Sequence, residues 1–339
     1  MPKRGVLLVN LGSPDSYEIK DIKRYLKEFL MDERVIDYPY WLRYLIVCGI
    51  ILRVRPPKTS RAYQKIWWEG GSPLIVITER FTQKLQSLVS EPVAMAMRYG
   101  NPSIAHGLEQ LEKQGVDEVL LVPLYPQYAM ATTETIEVLA EKLVAKRFKG
   151  MKLTKMPPFF GKPQYIAALA DVVQKHTAHY QYDHLLFSYH GVPERHLYKT
   201  TPTKAHKHIT ENVICCDPYT AEGDRCYRSQ CFETTRLLVA QLGLPSDKYS
   251  MSFQSRLGYD KWLQPFTDST VAALAQQGVK KLAVITPAFV SDCVETLEEI
   301  QIEGKKVFTA NGGEEFVMIP CLNDSDLWVQ AMAQMIDEL

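Results

Sequence analysis

The stretch Leu185-Leu186-Phe187-Ser188-Tyr189-His190-Gly191-Val192-Pro193-Glu194-Arg195-His196 decides how the chain is read. Its first three residues form an apolar run short enough for a strand buried on both faces. The run gives way at Ser188 to a histidine, after which Gly191 and Pro193 end regular structure. His190 is therefore expected just past the C-terminal edge of a strand, where open α/β sheets bind their ligands. Loop histidines are common, so the reading rests on a partner. A second strand supplies one.

That strand is Leu282-Ala283-Val284-Ile285, broken at Pro287, and the spacing predicts a helix from about Ser291 or Asp292. On such a helix Asp292, Glu295 and Glu299 stand at i, i+3 and i+7 and share one face within about 60°. Asp292 suits an N-cap, and Glu295 three residues later makes a capping-box-like pair. Capping leaves the third acid on the stripe without a role. Acids in line at a strand's C-terminal edge can carry protons or hold a hard cation.

Working outward, strands are expected at Gly5–Leu11, Val93–Met97, Val119–Val122, Leu153–Met156 and Tyr249–Phe253, with helical patterns between them. This alternation means parallel sheet with helices on both faces. Leu111-Glu112-Lys113-Gln114-Gly115-Val116 is echoed by Leu274-Ala275-Gln276-Gln277-Gly278-Val279, each ahead of a strand that ends at a proline. The echo argues for duplication. The expected fold is α/β, with two similar doubly wound domains and a cleft between them. Residues 1–157 form the first and 158–320 the second, with a C-terminal helix in 321–339 that can pack back on the first.

The bulk numbers narrow the function classes. With 339 residues, 46% of them hydrophobic and 23% charged, the chain has the composition of a globular protein with a sizeable core. Lys plus Arg equals Asp plus Glu at 39 each, so no global charge argues for nucleic acid. The run Val6–Leu11 starts almost at once, no export signal precedes it, and a cytoplasmic protein is expected. Seven cysteines then read as thiols or metal ligands rather than a disulfide frame.

Two segments stand apart. Residues 38–52, Tyr-Pro-Tyr-Trp-Leu-Arg-Tyr-Leu-Ile-Val-Cys-Gly-Ile-Ile-Leu, are too short to span a bilayer, which needs about twenty apolar residues, and are interrupted by Arg43. They form either a buried helix or an exposed apolar lip that touches a membrane surface or a large flat ligand. Arg53 and Arg55, suited to anionic headgroups or ligand carboxylates, favour the lip. The second segment gathers Cys215, Cys216, Cys226 and Cys231 around a polar, turn-rich insertion, which suggests a metal or iron–sulfur site. Zinc and a vicinal Cys215–Cys216 disulfide are the competing readings.

Together these residues resemble the ferrochelatase family, enzymes that insert ferrous iron into protoporphyrin IX to give protohaem in haem biosynthesis. Leu186–Pro193 is similar to the signature around the family's catalytic histidine, and Ser252-Phe253-Gln254-Ser255-Arg256-Leu257-Gly258 with Trp262 to its porphyrin-contacting segment. Phe289–Glu299 resembles the acidic helix; Asn10–Pro14, Gly70–Pro73, Arg98-Tyr99 and Tyr125–Tyr128 complete a match along nearly the whole chain.

The resemblance implies two flavodoxin-like domains holding the macrocycle between them, with His190 and Glu295 on opposite sides of it. It implies His190, Glu295, Asp292 and Glu299 as the residues of the reaction, His190 and Glu295 also meeting the ferrous iron substrate. Leu11, Arg55, Tyr63, Ser72, Arg98, Tyr99, Tyr128 and Trp262 are implied to contact porphyrin, and residues 38–52 to form a lip that meets the inner membrane peripherally. Met130 occupies the place of an animal cluster cysteine, and the animal C-terminal cysteine triplet is missing. A 2Fe–2S cluster would therefore use Cys215, Cys216, Cys226 and Cys231, as in some bacterial members. Cys293 stands where animal members carry histidine, and a homodimer is left open.

The chemistry fits the residues independently. Placing a dication in a porphyrin removes two pyrrole protons; a neutral imidazole, titrating near pH 6.5, can accept them and carboxylates can relay them. The rivals are a coproporphyrin III ferrochelatase, for which a more polar entrance is expected, and a tetrapyrrole or metal carrier, which needs no acid relay. Sirohydrochlorin-type chelatases share the fold class but lack this lip and cysteine segment.

Overall fold

The computed structural model describes residues 3–201, 225–258 and 260–339. Among the described residues there are eight strands: β1 (Arg4–Ser13), β2 (Val93–Gly100), β3 (Glu118–Pro123), β4 (Lys152–Lys155), β5 (His184–His190), β6 (Tyr249–Gln254), β7 (Lys281–Ile285) and β8 (Glu315–Met318). They make two four-stranded sheets ordered β2-β1-β3-β4 and β6-β5-β7-β8, with every pairing parallel. The same order in both sheets gives the duplication a structural form. Each is doubly wound, with its order reversing beside the central strand.

The sequence echo also has a backbone counterpart. Leu111 O accepts from Val116 N at 3.1 Å and Leu274 O from Val279 N at 3.0 Å. Between them Gly115 and Gly278 are left-handed, at φ +76° and +96°. Both helices thus end in the same glycine cap before turning into β3 and β7.

The chain divides into one unit of residues 1–125, 130–157 and 323–339 and another of 126–129 and 158–322. In the first, Leu7, Val9, Leu108, Leu111, Leu121 and Ile136 meet in a dry core, and Trp328 of the last helix stacks on Phe81 at 5.8 Å. In the second, Leu186, Leu282 and Val284 pack against Val271, Leu274, Ile300 and Phe308. Strands buried on both faces explain why these runs are continuously apolar rather than alternating.

Three details differ from the sequence-based expectation. Strand β5 does not stop at Ser188 but ends on His190, because parallel pairing continues to His190 opposite Gln254. The acidic helix starts at Val294–Glu295 and not at Ser291, since Asp292 and Cys293 stay in the connection. Residues Glu295–Gly304 are wound as a π-helix, and the i, i+3, i+7 stripe of an α-helix does not exist there.

Candidate active site

Within the second unit, the C-terminal ends of β5, β6 and β7 converge on one small set of side chains. His190 ends β5, and its Nδ1 lies 2.6 Å from Gly191 O. A carbonyl only accepts, so Nδ1 carries a proton, and Nε2 is the nitrogen left to exchange one. The ring meets the edge of Phe289 at 6.1 Å, and the His190 carbonyl accepts from the Tyr227 hydroxyl at 2.8 Å. Gly191 cannot be replaced cheaply, because a Cβ there would stand 2.8 Å from Ser255 O and 3.0 Å from Gln254 O. The backbone of β6 therefore packs directly on the histidine turn.

Glu295 and Glu299 of the π-helix are held from the end of β6. Gln254 Nε2 donates to Glu295 O at 2.9 Å. Ser255, left-handed at φ +63°, donates from its backbone N (2.9 Å) and its Oγ (2.5 Å) to the two oxygens of Glu299. Burial pushes the Glu299 carboxyl above its ordinary range; the Ser255 bonds and the nearby His190 ring pull the other way, and Glu295 adds to the rise. Glu299 thus lies within electrostatic reach of both His190 and Glu295. A partly buried carboxyl held above its ordinary range beside an imidazole is an arrangement that moves protons.

Asp292 is placed differently from its acidic neighbours. Its carboxylate is buried and accepts from Thr296 Oγ1 at 2.9 Å and from Cys321 N at 3.3 Å. Thr296 Oγ1 in turn accepts from Cys293 N at 3.0 Å. The helix start at Val294 carries no side-chain cap bond, and Asp292 is tied instead to Thr296 within the helix. Burial, followed by the charge of Glu295, pushes the Cys293 thiol well up, so at neutral pH it stays protonated beside that carboxylate.

Trp262 packs over the same turn. Its Nε1 donates to Leu257 O at 2.9 Å, and Leu263 N donates to Val192 O at 3.1 Å. Tyr128 belongs to this unit as well; it is buried, and its backbone N donates to Gln230 Oε1 at 2.6 Å.

The other expected porphyrin contacts lie in the first unit. Leu11 N donates to the Tyr125 hydroxyl at 3.0 Å, and Ser72 Oγ pairs with Ser13 Oγ at 2.7 Å at the end of β1. Tyr63 is buried edge-on against Trp67, and Arg55 is exposed. Arg98 and Tyr99 join a network around the Asp32 carboxylate. Arg98 is ion-paired to Asp32 and bonded to Thr135, while the Tyr99 hydroxyl, with no exposed surface around its ring, donates to Asp32 at 3.1 Å. Burial pushes Asp32 up, but Thr135, the Arg34 amide, Arg98 and Tyr99 together hold it below its ordinary value.

Residues 38–52 are exposed in the sense a lip requires. Tyr40, Trp41, Leu45 and Ile50 are 57–66% exposed, while Arg43 and Val47 are the buried members. Arg43 turns inward and donates from Nη1 to Ile36 O at 3.1 Å and Tyr38 O at 3.0 Å. The polar residue that interrupts the apolar run is the one that anchors it. Among the described residues, no helix is long and apolar enough to cross a membrane.

Of the four clustered cysteines, Cys215 and Cys216 lie outside the described residues. Cys226 and Cys231 are fully buried at the start of helix Tyr227–Leu242. Burial pushes the Cys231 thiol well up, the Tyr227 hydroxyl opposes this, and Cys226 adds to it. Among the described residues, no three His, Cys, Asp or Glu side chains gather to hold a metal ion.

In sequence Gln254 and Ser255 stand out only as part of the segment similar to the porphyrin-contacting one, and nothing local marks them as supports of Glu295 and Glu299. Tyr227 and Asp32 carry no local signal.

Comparison with known proteins places this arrangement. A family model described as ferrochelatase matches residues 3–339. The chain is 46% identical to a ferrochelatase of Pseudomonas putida, with all of both chains covered, and 46% identical to one of Stutzerimonas stutzeri over 99% and 98% of the two chains. It is 44% identical to one of Pseudomonas aeruginosa over 100% and 99%. Among solved structures it is similar to SirB from Bacillus subtilis with Fe3+, at TM-score 0.56 and 14% identity over 99% and 95% of the chains. The sirohydrochlorin chelatase SirB from Bacillus subtilis subspecies spizizenii in complex with cobalt gives 0.54 and 12%, over 99% and 94%. These two likenesses concern the fold. With a model match over nearly every residue and relatives this similar from end to end, the chain belongs to the ferrochelatase family.

Proposed function

We infer that this chain inserts ferrous iron into protoporphyrin IX, giving protohaem and two protons at the last step of haem biosynthesis. The observation that carries the mechanism is the tautomer of His190: with Nδ1–H committed to Gly191 O, the ring offers Nε2 as a base. Porphyrin loses two pyrrole protons as Fe²⁺ enters. Nε2 takes the first, and the carboxyls of Glu299 and Glu295 pass protons onward; the raised Glu299 accepts one with less driving force lost. Asp292 supports this relay from behind through its bond to Thr296 of the helix that carries it. Trp262 gives the macrocycle an apolar wall. Leu11, Arg55, Tyr63, Ser72 and Tyr128 are assigned to porphyrin contact by family resemblance, as are Arg98 and Tyr99.

The test is metal insertion with protoporphyrin IX and coproporphyrin III side by side, for the native chain and for His190→Ala. Preference for protoporphyrin and a variant that binds it without inserting metal support the reading. Preference for coproporphyrin moves the chain to the more carboxylated substrate, and an active variant removes His190 from the reaction.

The exposed apolar stretch supports peripheral attachment to a membrane surface, which also delivers an apolar porphyrin. Cys226 and Cys231 suit two ligands of a 2Fe–2S cluster by being buried at the start of one helix, with Cys215 and Cys216 assigned as the others. Such a cluster would supply iron-based redox or structural chemistry, and no step of insertion is routed through it. Protein purified without oxygen should carry iron and inorganic sulfide with visible absorption; a colourless preparation holding stoichiometric zinc assigns the thiols to zinc instead.

A further inference from the structure

Resting on the assignment of His190, Glu295 and Glu299 to the reaction, we propose that Gln254 is a positioning residue whose side-chain amide is aimed by a one-way chain of buried hydroxyls, Ser252 to Thr267 to Ser188. Gln254 ends β6 directly opposite His190. Its backbone O accepts from Gly191 N at 2.6 Å, which holds the histidine turn. Its Nε2 donates to Glu295 O at 2.9 Å, which holds the first turn of the acidic helix. One residue thus ties the base to the acids.

The direction of the amide follows from the partners. Glu295 O only accepts, so the NH₂ end must face it and Oε1 must face Ser188 Oγ, 2.9 Å away. Ser188 spends its single proton there. Thr267 Oγ1, 2.8 Å from Ser188 Oγ, must therefore donate to Ser188, and Ser252 Oγ, 2.9 Å from Thr267 Oγ1, must donate to Thr267. All four side chains are at most 5% exposed, so water does not compete for these bonds. Ser188 and Ser252 stand opposite one another on β5 and β6, and Thr267 begins the helix that follows β6. Without the chain Glu295 O alone discriminates between the two orientations of the amide, one of which points oxygen at oxygen; the Ser188 proton on Oε1 adds a second restraint.

Thr267 touches none of the reacting groups, which makes it the residue to change. Thr267→Val keeps the shape and removes the hydroxyl; Thr267→Ser keeps the hydroxyl. The expected result is about a tenfold fall in kcat for Thr267→Val, with the protoporphyrin KM within about twofold, and recovery to within about twofold of native kcat in Thr267→Ser. Native kcat in Thr267→Val overturns the proposal, as does equal impairment of both variants. Gln254→Glu covers the case in which Thr267→Val does not fold. The introduced carboxyl cannot donate to Glu295 O when ionised but can when protonated, so its kcat relative to native should rise as pH falls. His190, Glu295 and Glu299 titrate near the introduced carboxyl, so their own profiles are read from the native protein over the same pH range; a ratio flat with pH overturns the proposal. His190→Ala, measured in parallel, separates this failure from that of the assignment on which it rests. If His190→Ala still turns over, the assignment is wrong; if it is inactive while Thr267→Val is native, the positioning role is wrong.

Discussion

Ser255 holds the Glu299 carboxylate with both of its donors, the backbone N–H at 2.9 Å from Oε1 and the hydroxyl at 2.5 Å from Oε2. The grip depends on a left-handed Ser255, whose φ of +63° turns both donors to the same side. A non-glycine residue in that region is uncommon and marks a place where surrounding contacts dictate the backbone.

Ser255→Gly suits that φ, retains the N–H and deletes the hydroxyl alone. A hydrogen bond to a charged group contributes about 1.5 kcal/mol, so kcat should fall roughly tenfold. Losing a bond that favours the carboxylate should also move Glu299 further above its ordinary range. The acid limb of the kcat/KM profile should then shift to higher pH, measured from about pH 5.5 to 9. An unmoved limb would show that Glu299 does not limit the rate.

Glu299 also links stability to pH. Burial raises its folded pKa above the unfolded value, so the folded state binds the extra proton between the two. Stability contributed by this group is present below the ordinary carboxylate value and declines as pH rises through the raised one. Glu299→Gln removes that decline. The difference in Tm, variant minus native, should therefore grow more positive from pH 4 upward, by thermal unfolding in buffers of matched ionic strength. A constant difference would mean that the titration contributes nothing.

Asp32 behaves in the opposite sense. Its folded pKa is depressed, so its contribution is present above the ordinary value and is lost as pH falls through the folded one. Asp32→Asn leaves Arg98, whose side chain is 14% exposed, without a counter-charge. Breaking such a pair from one side destabilises by about 3 kcal/mol. Denaturant unfolding at pH 7 should show this loss, and the gap between native and variant should narrow in acid.

Residues 38–52 hold two kinds of residue within a few positions. Polar replacements at Trp41, Leu45 and Ile50, all exposed, should leave Tm within about 2 °C, while flotation with vesicles falls and the protoporphyrin KM rises. Val47, fully buried among them, should respond the other way. Val47→Ser should lower Tm by several degrees with little change in vesicle binding. A large drop in Tm for Trp41 would place that ring in a core.

Local pattern carries far in this protein. Apolar runs such as Leu185–Phe187 and Leu282–Ile285, the punctuation by Gly191 and Pro287, and the paired glycine caps at Gly115 and Gly278 all reflect energies set by neighbours in sequence. Burial on two faces needs a continuous apolar run, and a left-handed cap needs glycine. Strand identity, the parallel plan, its repetition and the placing of His190 at a sheet edge were therefore legible from residues alone, as was the oddity of residues 38–52. The tertiary structure decided what depends on partners distant in the chain. The winding of Glu295–Gly304 into a π-helix has no signature in its residues, and its first carbonyl meets Gln254 from another strand. Asp292 stands at α-helical spacing from Glu295, yet Thr296 and the Cys321 amide draw it off the stripe. The proton on His190 Nδ1, the grip of Ser255 on Glu299 and the inward turn of Arg43 follow from contacts of a few ångströms. Those distances exist only once strands far apart in sequence lie side by side.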